Sequence, residues 1–126
     1  MHRNTNQRQI VYDSINYLGH TTSENLINYI NDNYDNISLA TIYRNLNILM
    51  EENQIKKIKI GQQDIFETVK NKHYHYQCKL CNEIVDIDVD LIPFNVNTIK
   101  SKDKIFNVID NDILLYGICD KCIEKI

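Results

Sequence analysis

The sequence predicts an α+β chain, an N-terminal winged helix-turn-helix followed by a smaller domain of short strands that carries four cysteines. Three observations predict it. Apolar side chains recur at helical spacing in three stretches up to residue 49, two β-favouring segments flank a glycine turn at 55–67, and from about residue 70 short strands surround paired cysteines. The domains are expected at 1–69 and 70–126, meeting in the polar stretch 68–72.

Each element has a local reason. Thr5 is placed to cap a helix through Ile10, Val11, Ile15 and Leu18, which Gly19 ends. A second helix starts near Ser23 and carries the stripe Leu26, Ile27, Ile30. The third opens on Ser38 as N-cap and buries Ile42, Leu46 and Leu49 at i, i+4, i+7 spacing. Residues 55–60 and 65–67 then form a hairpin around the turn 61–64. Further strands are expected at 74–77, 84–88, 106–109 and 113–118, while Pro93 and several β-branched residues leave room for at most a short helix in 91–104.

With 126 residues the chain suits two units of about 60 residues each, a size that usually needs a metal or a partner for stability. The longest apolar run, Ile113-Leu114-Leu115-Tyr116, is far short of the ~20 residues a membrane span needs, so no membrane partner is expected. The polar start Met1-His2-Arg3-Asn4-Thr5-Asn6 does not read as a secretory signal, which points to the cytoplasm, where thiols stay reduced. Fourteen Lys+Arg against 17 Asp+Glu, net −3, argue against indiscriminate coating of nucleic acid but not against a local DNA-reading face.

The cysteines form two pairs, Cys78-x-x-Cys81 and Cys119-x-x-Cys122, with 37 residues between them. A two-residue spacer lets both sulfurs of a pair reach one ion, and two pairs complete a tetrahedron at ~2.3 Å per Zn–S bond. Four thiolates close the coordination shell, so a zinc ion there would be structural. Disulfides suit a reducing compartment poorly, and a redox CxxC would need only one pair.

His73 and His75 leave the same face of a strand just before the first pair. With His20, Glu67 and Asp86 they offer a nitrogen-and-oxygen donor set suited to Fe(II), Mn(II) or Zn(II). Taken alone, such a pattern is more often a solvated strand than a metal site. On the third helix, Ala40, Arg44 and Asn47 face away from the apolar stripe, flanked by Thr41 and Tyr43. Arg44 suits guanine or phosphate, and Lys56, Lys57, Lys59, Arg3 and Arg8 suit backbone phosphates. Composition alone allows a plain solvated face equally well, since residues 1–66 hold 6 basic against 7 acidic side chains.

Several segments, in order along nearly the whole chain, resemble the ferric uptake regulator family of bacterial metal-dependent repressors. They are Thr5-x-Gln7-Arg8; Ser38-Leu39-Ala40-Thr41-Ile42-Tyr43-Arg44-Asn45-Leu46; Phe66-Glu67; His73-Tyr74-His75-Tyr76-x-Cys78-x-x-Cys81-x-x-Ile84-Val85-Asp86; and Leu115-Tyr116-Gly117-Ile118-Cys119-x-x-Cys122. The resemblance implies a homodimer whose winged helices bind operator double-stranded DNA and whose α/β C-terminal domain dimerises. It implies structural Zn2+ on the four cysteines and a regulatory Fe2+ or Mn2+ held by His20, Glu67, His73, His75 and Asp86 between the domains. DNA contacts fall to Arg8, Thr41, Tyr43, Arg44, Asn47 and Lys57.

Within the family, the His73-Tyr74-His75 segment and Asp86 are most like the peroxide-sensing branch, in which bound Fe(II) reacts with peroxide and a ligand histidine, here His20 or His73, is oxidised. Glu67 departs from that branch, which usually has Asp, and agrees with the iron-uptake sensors. Asp110-Asn111 stand where many members carry histidine for an additional metal site, which is therefore not expected. The segment 91–104 departs from the usual dimer-domain helix. The alternatives are an iron-uptake or zinc-uptake regulator and, outside that class, a small metal-dependent enzyme or a redox-switched zinc module. Five protein ligands would leave an enzyme little open coordination, and a zinc module leaves Arg44 and the His-x-His unused.

Overall fold

The computed structural model describes residues 6–126, which fall into two compact units, the first ending at Lys70 and the second spanning Asn71–Ile126. The expected roles of Thr5 as a cap and Arg3 as a phosphate contact lie outside the described residues.

The first unit contains α1 (Asn6–Leu18), α2 (Ser23–Asn33), α3 (Leu39–Glu51), β1 (Ile55–Ile60) and β2 (Gln63–Thr68). Gly19 ends α1 in the left-handed region at φ 79°, donating its amide to the Ile15 carbonyl at 2.9 Å. Thr22 caps α2 through the Asn25 amide, and Ser38 caps α3 through the Thr41 amide at 3.1 Å, each cap contributing about 1 kcal/mol. Val11 and Ile15, Leu26 and Ile30, and Ile42, Leu46 and Leu49 meet Ile55 and Phe66 in one core. Each such side chain contributes roughly 1.5–3 kcal/mol by leaving water.

β1 and β2 pair antiparallel from Ile55 opposite Thr68 to Ile60 opposite Gln63. The turn is therefore only Gly61-Gln62, tighter than the expected 61–64, because Gly61 adopts φ 64° at no steric cost. Thr21, in the α1–α2 turn, adds one more rung to this hairpin by an isolated antiparallel bridge to Phe66.

The second unit contains β3 (His73–Cys78), β4 (Ile84–Asp88), a 3-10 turn at Val89–Leu91, β5 (Thr98–Ser101), β6 (Lys104–Asn107), β7 (Leu114–Gly117) and α4 (Asp120–Ile123). Its main sheet runs β4-β3-β7, with β3 antiparallel to β4 and parallel to β7. β5 and β6 form a separate hairpin around Lys102-Asp103, both at positive φ as a two-residue turn of this hand requires. Sequence analysis missed β5, and it placed the strand now found at 104–107 two residues too late. No α-helix occupies 91–104, where Pro93 and the β-branched Val96, Thr98 and Ile99 favour extended backbone.

The two units differ in how they are held. Tyr74, Cys78 and Cys122 are the buried apolar side chains of the second, which buries no Ile, Leu or Val among them. Leu91, Ile99, Ile105, Phe106 and Ile109 are all exposed there. So thin a core contributes little stability without a cross-link or a covering surface.

Candidate metal centre

The cysteines are gathered by two turns at the ends of β3 and β7. After Cys78 the chain reverses through Asn82, whose φ of 64° lets its amide reach the Cys78 carbonyl at 2.9 Å. Cys78 in turn donates its amide to Glu83 at 3.0 Å. Cys119 precedes α4, which carries Cys122. All four sulfurs lie within 4.8 Å of one another, with Cys81 and Cys119 at 3.9 Å. An ion with ~2.3 Å bonds needs tetrahedral edges of about 3.8 Å, so four thiolates here fit zinc.

Their electrostatics are unequal. The amides of Cys81, Cys119 and Leu80 point at the Cys78 sulfur from 3.4–3.5 Å and lower its thiol to about 6. Cys122, sharing its proton with the Cys119 sulfur and buried, is pushed up to about 12. Gly117, opposite Cys78 in the parallel pair, has a further role: a Cβ there would meet the Tyr76 hydroxyl at 2.7 Å. In the sequence Tyr76 and Gly117 stand out only as parts of the resembling segments, without a role, and Asn82 not at all; the Asn directly after Cys-x-x-Cys is the one signal that could have marked this turn.

The histidines and carboxylates form a cluster within each unit. In the first, Thr21 and Phe66 exchange hydrogen bonds, which sets His20 beside Glu67 with Nε2 and Oε1 3.9 Å apart. Glu67 is wholly buried. In the second, His73 and His75 share a face of β3, and His75 is paired in register with Asp86 on β4. The two Nε2 atoms are 3.0 Å apart, and Asp86 Oδ1 lies 3.4 Å from His73 and 3.7 Å from His75. Cis donors at ~2.1 Å from one ion lie about 3.0–3.4 Å apart, so these three atoms fit one face of a metal's shell with little movement. His73 Nδ1 faces the Asn71 carbonyl at 2.8 Å, which directs Nε2 towards that face.

Tyr43, Arg44 and Asn47 are exposed on α3, and Lys57 is exposed on β1. Arg8 and Thr41, which were expected to contact a duplex, are buried, at 6% and 9% exposure. Arg8 shares the i, i+3, i+7 stripe with Val11 and Ile15, a signal legible in the sequence. Thr41 is held by the Ser38 hydroxyl at 2.9 Å and accepts the Asn45 side-chain amide at its carbonyl.

A three-helix unit with a β-wing, followed by a strand unit bearing a thiolate cluster and a histidine–carboxylate cluster, defines the class of metal-responsive winged-helix regulators. The chain belongs to the ferric uptake regulator family, whose family model matches residues 1–116. It is 30% identical over 125 residues to the peroxide-responsive repressor PerR of Staphylococcus epidermidis, covering 98% of this chain and 83% of that protein. It is 28% identical over 125 residues to the peroxide operon regulator of Bacillus subtilis, covering 98% and 86%. The Campylobacter jejuni peroxide stress regulator superimposes with a TM-score of 0.65 at 25% identity, over 92% of this chain and 88% of that one. No helix among the described residues is long and apolar enough to cross a membrane.

Proposed function

We propose that this protein is a homodimeric, metal-gated repressor whose affinity for operator DNA is set by one Fe(II) or Mn(II) per protomer. His20 and Glu67 of the first unit and His73, His75 and Asp86 of the second hold that ion together, while Cys78, Cys81, Cys119 and Cys122 hold structural zinc. The observation that carries the reading is the convergence of His73 Nε2, His75 Nε2 and Asp86 Oδ1 within 3.0–3.7 Å, in the strand pair that follows the wing.

The mechanism is a population shift. An ion bound by donors from both units favours the arrangement in which all of them reach it, and so fixes the winged helix relative to the dimerising unit. Moving such an equilibrium from 1:99 to 99:1 takes roughly 5.5 kcal/mol of differential binding, within reach of added anionic and imidazole ligands. Tyr43, Arg44 and Asn47 read the major groove, and Lys57 contacts phosphate. The exposed apolar side chains of the second unit are the surface that a second copy covers.

The family-level relatives favour peroxide response. His20, Glu67, His73, His75 and Asp86 would hold Fe(II), which would supply the electrons that cleave hydrogen peroxide, and His20 or His73 would be the ligand oxidised and lost. A second reading, iron-uptake control, is favoured by the buried carboxylate being Glu67 rather than Asp. The wild type is expected to bind one Mn(II) per protomer beyond its zinc, and His73→Ala to lose the manganese with zinc content unchanged. Equal manganese binding by both would refute the site. Mass spectrometry of the Fe(II)-loaded protein after mild peroxide separates the readings: a one-oxygen gain on a His20 or His73 peptide supports peroxide sensing, and its absence supports iron uptake.

A further inference from the structure

His73 is held by more than its strand. Its Nδ1 lies 2.8 Å from the Asn71 carbonyl oxygen, and a carbonyl only accepts, so Nδ1 carries the proton and the Nε2 lone pair is left facing His75 and Asp86. The peptide presenting that carbonyl is tied down through the next residue. Lys72 Nζ donates to Asp110 Oδ1 at 2.9 Å and to the Asn111 carbonyl, and lies 5.9 Å from the centre of the Tyr74 ring. Asp110 is itself oriented by the Asn111 amide at 2.8 Å. Two residues further on, the Ile113 carbonyl accepts the His75 amide at 3.1 Å. The 110–113 segment thus grips the start of β3 on both sides of His73.

We propose that Lys72 and Asp110 are positioning residues for His73: their ion pair fixes the Asn71–Lys72 peptide, whose carbonyl sets the tautomer and direction of the His73 ring as a metal ligand. The inference rests on the metal reading above. An exposed ion pair adds little to folding stability, and both partners are well exposed, Lys72 at 44% and Asp110 at 79%. Their effect therefore falls on ring orientation. Loss of such an outer partner of a ligating histidine typically weakens metal binding 10–100-fold.

The test compares wild type, Lys72→Met, Asp110→Asn and Lys72→Arg. Nitrogen-15 NMR of the metal-free protein reads the His73 tautomer, equilibrium dialysis reads Mn(II) affinity, and zinc content with thermal melting checks the fold. The wild type and Lys72→Arg are expected to hold the proton on Nδ1. Lys72→Met and Asp110→Asn are expected to lose that preference and bind Mn(II) about tenfold more weakly with unchanged zinc and melting. An unchanged tautomer, or an unchanged Mn(II) affinity, in both of these variants overturns the inference alone. A wild type that takes up no Mn(II) beyond its zinc overturns the metal reading together with it.

Discussion

Thr21 and Phe66 exchange both of their backbone hydrogen bonds, at 3.1 and 2.7 Å, and so place His20 next to the buried Glu67. A turn between two helices is thereby stitched to the wing, and the two donors of the first unit are set by backbone geometry rather than by flexible side chains.

This pre-setting separates two roles among the donors. The second unit presents three converging atoms by itself, so His20→Ala is expected to retain weakened Mn(II) binding while losing metal-dependent DNA binding. His75→Ala is expected to lose both. Equilibrium dialysis and fluorescence anisotropy, run on the same preparations, distinguish the two outcomes.

Zinc affinity should fall as pH falls, with a slope that reports Cys78. Its thiol sits at about 6, below the ordinary value of 9.0, so between those limits it is already a thiolate in the folded metal-free chain. Zinc binding near pH 7.5 then displaces one proton fewer than it does once the pH drops below 6. The proton that Cys122 holds up to about 12 is among those displaced. Calorimetry in buffers of different ionisation enthalpy counts them directly.

Gly117→Ala is expected to destabilise the second unit by about 1 kcal/mol, because the new methyl meets the Tyr76 hydroxyl at 2.7 Å and the ring must shift. Adding Tyr76→Phe should restore part of the loss, since ring carbons remain at 3.1 and 3.3 Å. Thermal melts of the zinc-loaded single and double variants check this.

The burial of Arg8 gives a contrast with Arg44. Arg44→Ala, on the exposed face of α3, should weaken operator binding by about 1–3 kcal/mol with no change in melting. Arg8→Ala should lower the melting temperature and leave the salt dependence of binding unchanged.

What the sequence disclosed followed from periodicity and short spacing. Ile42, Leu46 and Leu49 marked the inner face of α3, Ser38 its start, and the two Cys-x-x-Cys pairs and His73-x-His75 needed only the reach of neighbouring side chains. What it withheld depended on partners distant along the chain. The Thr21–Phe66 bridge and the Lys72–Asp110 pair join residues that no local pattern connects. β5 was hidden, and β6 displaced by two residues, for another reason: their side chains are exposed throughout, so no alternation of buried and exposed positions marks them. Thr41 flanks the outward face of α3 yet is buried, its hydroxyl accepting a hydrogen bond from Ser38.

Gating by the ion that His73, His75 and Asp86 invite is tested most directly by anisotropy of duplex DNA selected from a random library by the manganese-loaded protein. The zinc-loaded protein is titrated onto that duplex with and without one equivalent of Mn(II). Affinity is expected to rise about 100-fold with manganese, a coupling of about 2.7 kcal/mol, and to stay at the metal-free level in His73→Ala. The same affinity in the presence and absence of manganese would contradict the account.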